Sequence, residues 1–258
     1  MADFEKYRIV MSVNDNPLYS EFIIPVIRFY IHYYPGIEIK IIYAHPILPK
    51  YLENYKKYII CYDNPHNLPS KYISQHLRYL VPCLWEKDKW NILSDIDLIV
   101  LINNFDLMTN CIDPTKFINI GKMNLHEIYQ SKMIPFAPSI VRNYVLSLTL
   151  NIVTKKDMDD FLLKNFVPMD NPWGYDWFKD QHLLFDYFKN SMVKYKRHDV
   201  DRLDREMVHL YFLKQYNYHR IIDLHLPRPY SQYKEQLDQV LLFLIHCRPI
   251  NDKLICLE

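Results

Sequence analysis

The stretch Trp90-Asn91-Ile92-Leu93-Ser94-Asp95-Ile96-Asp97-Leu98-Ile99-Val100 decides how the chain is read. An apolar run of strand length delivers two carboxylates at its exit, with one residue between them, and a second apolar run follows at once. Two hard oxygen ligands at that spacing suit Mg²⁺ or Mn²⁺ bound to a diphosphate. Aspartates also end strands as plain turn formers, so the surroundings of the pair carry the argument.

Upstream, strands and helices alternate. Tyr7 to Val13 is β-rich, and Asn14-Asp15-Asn16-Pro17 supplies the polar turn and first-turn proline that open a helix. Leu18, Phe22, Val26, Phe29 and Tyr33 recur at helical spacing up to Tyr34, with a kink expected at Pro25 and a stop at Pro35-Gly36. Ile37 to Tyr43 and Tyr58 to Tyr62 read as further strands. Pro69 to Leu84 reads as a helix with Tyr72, Ile73, Leu77 and Leu80 on one face. This order predicts an α/β fold with a mixed, mainly parallel sheet flanked by helices. Ligands in such sheets sit at the carboxyl ends of the strands, where Ser12 to Asp15 would meet Asp95 to Asp97. Farther on, Thr154 and Asp157 form a capping-box-like start to a helix carrying Met158, Phe161 and Leu162. An aromatic-rich helix is expected from about Tyr175 to Lys189.

Composition narrows the function classes. The chain has 258 residues, 50% hydrophobic and 24% charged, without repeat or linker, and reads as a single domain over 1–258. Its only glycines are Gly36, Gly121 and Gly174, so neither a Walker loop nor G-x-G-x-x-G can be written in it. The 31 Lys and Arg nearly balance the 30 Asp and Glu, which disfavours nucleic acid as a partner. Cys61, Cys83, Cys111, Cys247 and Cys256 form no C-x-x-C pair, as expected of buried thiols in a reducing, cytoplasmic compartment. The N-terminus lacks a signal-peptide layout, and runs such as Val240 to Ile245 fall far short of the roughly 18 to 20 residues of a membrane span. Abundant Ile, Asn, Lys and Tyr fit an AT-rich genome, such as that of a large virus or an intracellular bacterium. The sequence does not specify an oligomeric state.

Gln75-His76-Leu77-Arg78-Tyr79-Leu80-Val81-Pro82, the Asp95-Ile96-Asp97 exit and a later Asp180-Gln181 pair together resemble the nucleotide-sugar-dependent glycosyltransferases of the GT-A fold, over about Arg8 to Lys189. The resemblance implies a nucleotide-binding half over about 1–102, ending in the D-x-D, and an acceptor-binding half over about 103–258. It implies that Asp95 lies near the donor ribose or sugar and at the metal, and that Asp97 binds Mn²⁺ (or Mg²⁺) directly. It also implies that Arg78 faces the donor phosphates or sugar, and that Ser12, Val13 and Asn14 border the nucleoside base. Such enzymes often draw a third metal ligand from a late histidine. His225, at a strand exit ahead of Arg228 and Tyr230, which are placed to touch the donor diphosphate, is preferred to His246, which ends an apolar run like a core histidine satisfied by backbone.

Asp176 and Asp180 lie four residues apart, a mildly unfavourable spacing for like charges on a helix. Asp176 is accounted for by a first-turn position and Asp180 by solvation; the functional reading places one or both in the cleft, holding sugar hydroxyls or taking a proton from the acceptor. The Asp-Gln pair leans toward retention of anomeric configuration by resemblance alone. Trp173 and Trp177 stand beside these aspartates, where aromatic faces suit sugar rings but more often serve a core. Lys194 to Arg205, with Asp199, Asp201 and Asp204 interleaved, reads as a solvated face, and as an anion patch in the second instance. The expected function is transfer of a sugar from a UDP-sugar to a glycan, glycoprotein or other hydroxyl acceptor. The competing readings are a D-x-D phosphohydrolase and a non-catalytic sugar- or nucleotide-binding protein.

Overall fold

A computed structural model describes residues 4–86, 88–102, 105–110, 112–120, 125–134, 138–168, 178–194, 202–215, 221 and 223–247. Its strands are β1 (Tyr7–Val13), β2 (Glu38–Tyr43), β3 (Ile59–Cys61), β4 (Trp90–Leu93), β5 (Leu98–Val100), β6 (Phe117–Asn119), β7 (Ser139–Arg142), β8 (Met192–Lys194), β9 (Arg202–Leu203) and β10 (Asp223–His225). The principal sheet runs β3-β2-β1-β4-β7-β6-β8. Its β3-β2-β1-β4 portion is parallel throughout, and β7 runs antiparallel to both β4 and β6. A three-stranded sheet, β5-β10-β9, stands beside it. Asp95 to Asp97 form the crossing from one sheet to the other, between β4 and β5.

β1 has no exposed residue. Its Ile9, Met11 and Val13 enter one core and Val10 the other, as a two-residue side-chain period requires. The first core packs under α2 (Ile23–Tyr33) and α10 (Lys234–His246); the second packs under α3 (Ser70–Leu80), α6 (Asn143–Leu150) and α8 (Lys179–Phe188). The chain leaves β1 toward β3 and returns to β4 on the other side, so a crevice opens at the carboxyl ends of β1 and β4.

The helices refine the sequence reading. The expected Leu18 to Tyr34 helix is broken before Pro25, not at it: α1 (Pro17–Ser20) ends and α2 begins at Ile23. Pro25 thereby falls in a first turn, where its missing N–H costs nothing. Asn16 caps α1 by accepting from the Leu18 amide at 3.1 Å. Gly36, at φ +94°, takes the left-handed turn after α2. The Pro69 to Leu84 helix is α-helical only through Leu80 and tightens to a 3-10 turn over Val81–Leu84, since Pro82 cannot continue the ladder. The capping box at Thr154 and Asp157 opens α7 (Lys155–Asn165). Asp176, Trp173 and Trp177 lie outside the described residues.

Two tyrosines of the α2 segment hold β5 in place. The Tyr30 hydroxyl accepts from the Val100 amide at 2.9 Å, and the Tyr34 hydroxyl donates to the carbonyls of Val100 and Ile102. The D-x-D crossing is thus anchored from behind. Among the described residues no helix is long and apolar enough to cross a membrane. Cys83 is buried, whereas Cys61 and Cys247 are only half-buried, so burial of every thiol does not hold.

Candidate active site

A cleft of about 1140 Å³ opens where the sequence places it, at the carboxyl ends of β1 and β4. Ser12, Val13 and Asn14 line it from β1, Arg78 from α3, Asp95 and Asp97 from the crossing, Asp180 from the first turn of α8, and His225 and Arg228 from β10 and the turn after it. These residues therefore meet in one place, whereas Asp15, expected beside them, does not line the cleft.

The end of β1 offers neutral groups. The Ser12 hydroxyl donates to the Ser74 carbonyl, and Asn14 Nδ2 lies 3.4 Å from Ser70 Oγ, tying the end of β1 to the start of α3.

Arg78 is buried, not a surface arginine. Its Nη2 donates to Asp180 Oδ2 at 2.7 Å and its Nη1 pairs with Asp95 Oδ1. Asp180 is 1% exposed, and its Oδ1 has no hydrogen-bond partner. Burial, then the nearby Asp95 charge, push its carboxyl up to about 6 against the pull of Arg78. The solvated-helix account of Asp180 fails for this reason: α3 and the crossing cover it.

Asp97 Oδ2 lies 3.2 Å from Arg205 Nη2, 3.3 Å from Arg228 Nε and 3.4 Å from His225 Nε2. Burial alone would raise its pKa; the cationic groups that face it, Arg228 and Arg205 among them, outweigh burial and hold it below the usual carboxylate range. Arg205 Nη2 also lies 2.6 Å from His225 Nε2. A guanidinium only donates, so Nε2 accepts and the ring proton sits on Nδ1, turned toward Asp204 at 3.6 Å. Position is fixed by backbone: the Leu226 amide donates to the Asp97 carbonyl at 2.8 Å, and His225 pairs in register with Leu98.

Arg202 and Arg205 also line the cleft, which follows the second reading of the Lys194 to Arg205 segment, an anion patch, rather than the first. Instead of a solvated face, Arg202 donates to the fully buried Asp223 at 2.6 Å, and Arg205 reaches Asp97. Their signal lies elsewhere in the chain, in Asp223-Leu224-His225, whose polar-apolar-polar alternation puts Leu224 in the core and both polar groups on the other face. Tyr230 is bonded to Asp238 and does not line the cleft. His246 is not a core residue: it is exposed at the end of α10, with Nδ1 2.7 Å from the Leu242 carbonyl, and is likewise absent from the cleft.

For a divalent cation, the described residues gather no group of three acidic, His or Cys side chains. Asp97 Oδ2 and His225 Nε2 nonetheless face one another at the separation of two adjacent ligands on one ion, and the Nε2 lone pair is the metal-binding one. Asp95 turns toward Arg78, with its side chain 37% exposed.

No family model matches the chain, and no curated protein sequence does. Solved structures do match its fold. A galactosyltransferase, LgtC, in complex with donor and acceptor sugar analogs is similar over 91% of this chain and 95% of its own, at 11% identity and a TM-score of 0.50. The glycosyltransferase GlyE of Streptococcus pneumoniae TIGR4 is similar over 95% of this chain and 64% of its own, at 11% identity and 0.50. The bifunctional glycosyltransferase WbbM is similar over 97% of this chain at 10% identity and 0.53, this chain spanning 52% of that one. The fold is the GT-A fold that these glycosyltransferases share.

Proposed function

We propose that the chain is a metal-dependent glycosyltransferase that moves a sugar from a nucleoside-diphosphate donor, UDP-linked in the first instance, to a hydroxyl of a glycan or glycoprotein. The observation that carries this reading is the pairing of Asp97 with His225, at 3.4 Å, beside Arg205 and Arg228 in the cleft of a glycosyltransferase fold. A D-x-D phosphohydrolase would carry that motif after its first strand; here Asp95-Ile96-Asp97 follows β4, behind β1, β2 and β3.

Asp97 and His225, with Asp95 beside them, would hold Mn²⁺ or Mg²⁺. The cation supplies charge neutralisation for the departing diphosphate. Arg228 and Arg205 stabilise the same developing charge, and fixed cations of this kind contribute most to catalysis when they face charge that grows in the transition state. Ser12, Val13 and Asn14 border the base. Arg78 holds Asp180 by one oxygen and leaves the other for a sugar or acceptor hydroxyl. A carboxylate titrating near 6 is ionised at neutral pH and basic enough to take a proton. Under inversion Asp180 serves as that base; under retention it holds sugar hydroxyls and stabilises positive charge at the anomeric carbon.

Calorimetry with UDP tests the reading. Binding should be at least about tenfold tighter with Mn²⁺ than with EDTA, because carboxylates and diphosphate otherwise repel. Asp97→Ala should abolish that difference and stay folded. Equal affinity in the two conditions removes the metal, and an unfolded variant returns Asp97 to a structural role.

A further inference from the structure

We infer that Arg205 is a displaceable counter-ion: it occupies Asp97 and His225 in the free protein and surrenders them to the divalent cation only when it can transfer to the donor diphosphate. The inference rests on the metal-dependent reading above and adds an order of events to it.

A single atom, Arg205 Nη2, lies 2.6 Å from His225 Nε2 and 3.2 Å from Asp97 Oδ2. It therefore touches both atoms that would hold the cation. The Nε2 lone pair can accept from a guanidinium or bind a metal, not both. One of the partners has to leave, and the structure identifies which. Asp97 is 3% exposed and its carbonyl is bonded to the Leu226 amide, while His225 stands in register on β10. Arg205 opens a three-residue 3-10 turn on a long side chain that is 35% exposed, so it alone has room to swing.

It also has a reason to swing. Among the described residues, Arg205 Nε is buried without a hydrogen-bond acceptor, and so is Nη2 of the neighbouring Arg202. Buried donors without acceptors are costly, and both arginines line the cleft. Phosphate oxygens satisfy such donors with charge-assisted bonds.

Charge points the same way. Arg78 pairs with both Asp95 and Asp180, Arg202 with Asp223, and Arg205 and Arg228 share Asp97, so four guanidiniums face four carboxylates. A divalent cation entering alone adds positive charge beside Arg228 and an evicted Arg205, whereas a diphosphate entering with it cancels that charge. Cation and diphosphate thus assist one another through Arg205 as well as through direct contact, and the assistance is reciprocal.

The test titrates MnCl₂ alone into the full chain, reading bound metal from loss of the free-Mn²⁺ electron paramagnetic resonance signal, and repeats it with saturating UDP. For the parent, UDP should tighten Mn²⁺ binding by about tenfold or more. Arg205→Ala should bind Mn²⁺ without UDP about tenfold more tightly than the parent, and its gain from UDP should shrink accordingly. Arg205→Gln, which keeps the stem and loses the charge, should move in the same direction, and adding Asp97→Ala should abolish the metal bound by either variant. Mn²⁺ affinity that is unchanged or weaker in both variants, while UDP still tightens binding, overturns the counter-ion role and leaves the metal site standing. Absence of Mn²⁺ binding to the parent even with UDP instead overturns the metal-dependent reading, and this inference with it.

Discussion

The two walls of the cleft are built on opposite principles. The wall at the end of β1 presents Ser12 and Asn14, neutral groups bonded to Ser74 and Ser70 of α3, with Lys71 and Arg78 the cations that α3 adds to the cleft. The facing wall is made from β9, β10 and the turns beside them, and presents Arg202, Arg205 and Arg228. Between them stand Asp95, Asp97 and Asp180. On the proposed function a nucleoside would meet the first wall and a diphosphate the second, so that one cleft would recognise a ligand with two chemically distinct ends: directional bonds on a rigid side, and charge on the side made of short segments.

The strongest way to sharpen this contrast is Asp180→Asn, which keeps shape and removes charge between the walls. UDP binding should survive, because both walls are intact, while sugar transfer falls by roughly a hundredfold or more. Transfer within a few-fold of the parent, measured with a panel of UDP-sugars, would remove Asp180 from the chemistry. Next, Arg228→Ala should weaken UDP by about tenfold, and raising NaCl should weaken UDP more than uridine, since only the diphosphate meets the charged wall. Calorimetry with the two ligands at low and high salt checks both statements; equal salt dependence would break the distinction between the walls.

Asp180 also links the site to stability. Its folded pKa of about 6 stands above the ordinary unfolded value, so the native state binds more protons between the two, and stability declines as pH rises through 6. Replacing it with Asn removes that decline. The stability of Asp180→Asn relative to the parent should rise from pH 5 to pH 7.5 by a free energy on the order of 1 kcal/mol. A constant difference across that range would mean that Arg78 offsets the burial completely. The smallest effect expected is that of Tyr34→Phe, which strips the bonds to Val100 and Ile102 from behind the crossing and should cost about 1 kcal/mol in denaturant unfolding, with UDP affinity almost unchanged.

How far the site was legible follows the same division. The β1 wall and the carboxylates were readable because each ends an element long enough to show its period: β1, α3 and the strand before Asp95 all announce themselves by apolar spacing. β9 has two residues and the turn opened by Arg205 three, too short for any period, so these arginines looked like part of a charged surface. Their partners are far away in sequence; Arg205 and Asp97 are 108 positions apart. The depth of Asp180 was hidden for the same reason, since the arginine that covers it is 102 positions upstream. His225 was found because an alternation of three residues sufficed to place it at a strand exit, whereas His246 was misjudged because an apolar run does not say which of its ends is covered.

The placement of β1 also affects how the molecule opens. Because this strand contributes side chains to both cores and pairs on each edge, its amides cannot meet solvent unless the whole sheet comes apart. β9 pairs with β10 alone, along two residues, at the margin of the smaller sheet. Deuterium uptake should then separate the cleft into a side that exchanges only on global unfolding and a side that breathes in far smaller excursions. On the proposed function, the half that would grip the leaving group could loosen to release it while the floor beneath the base stays shut.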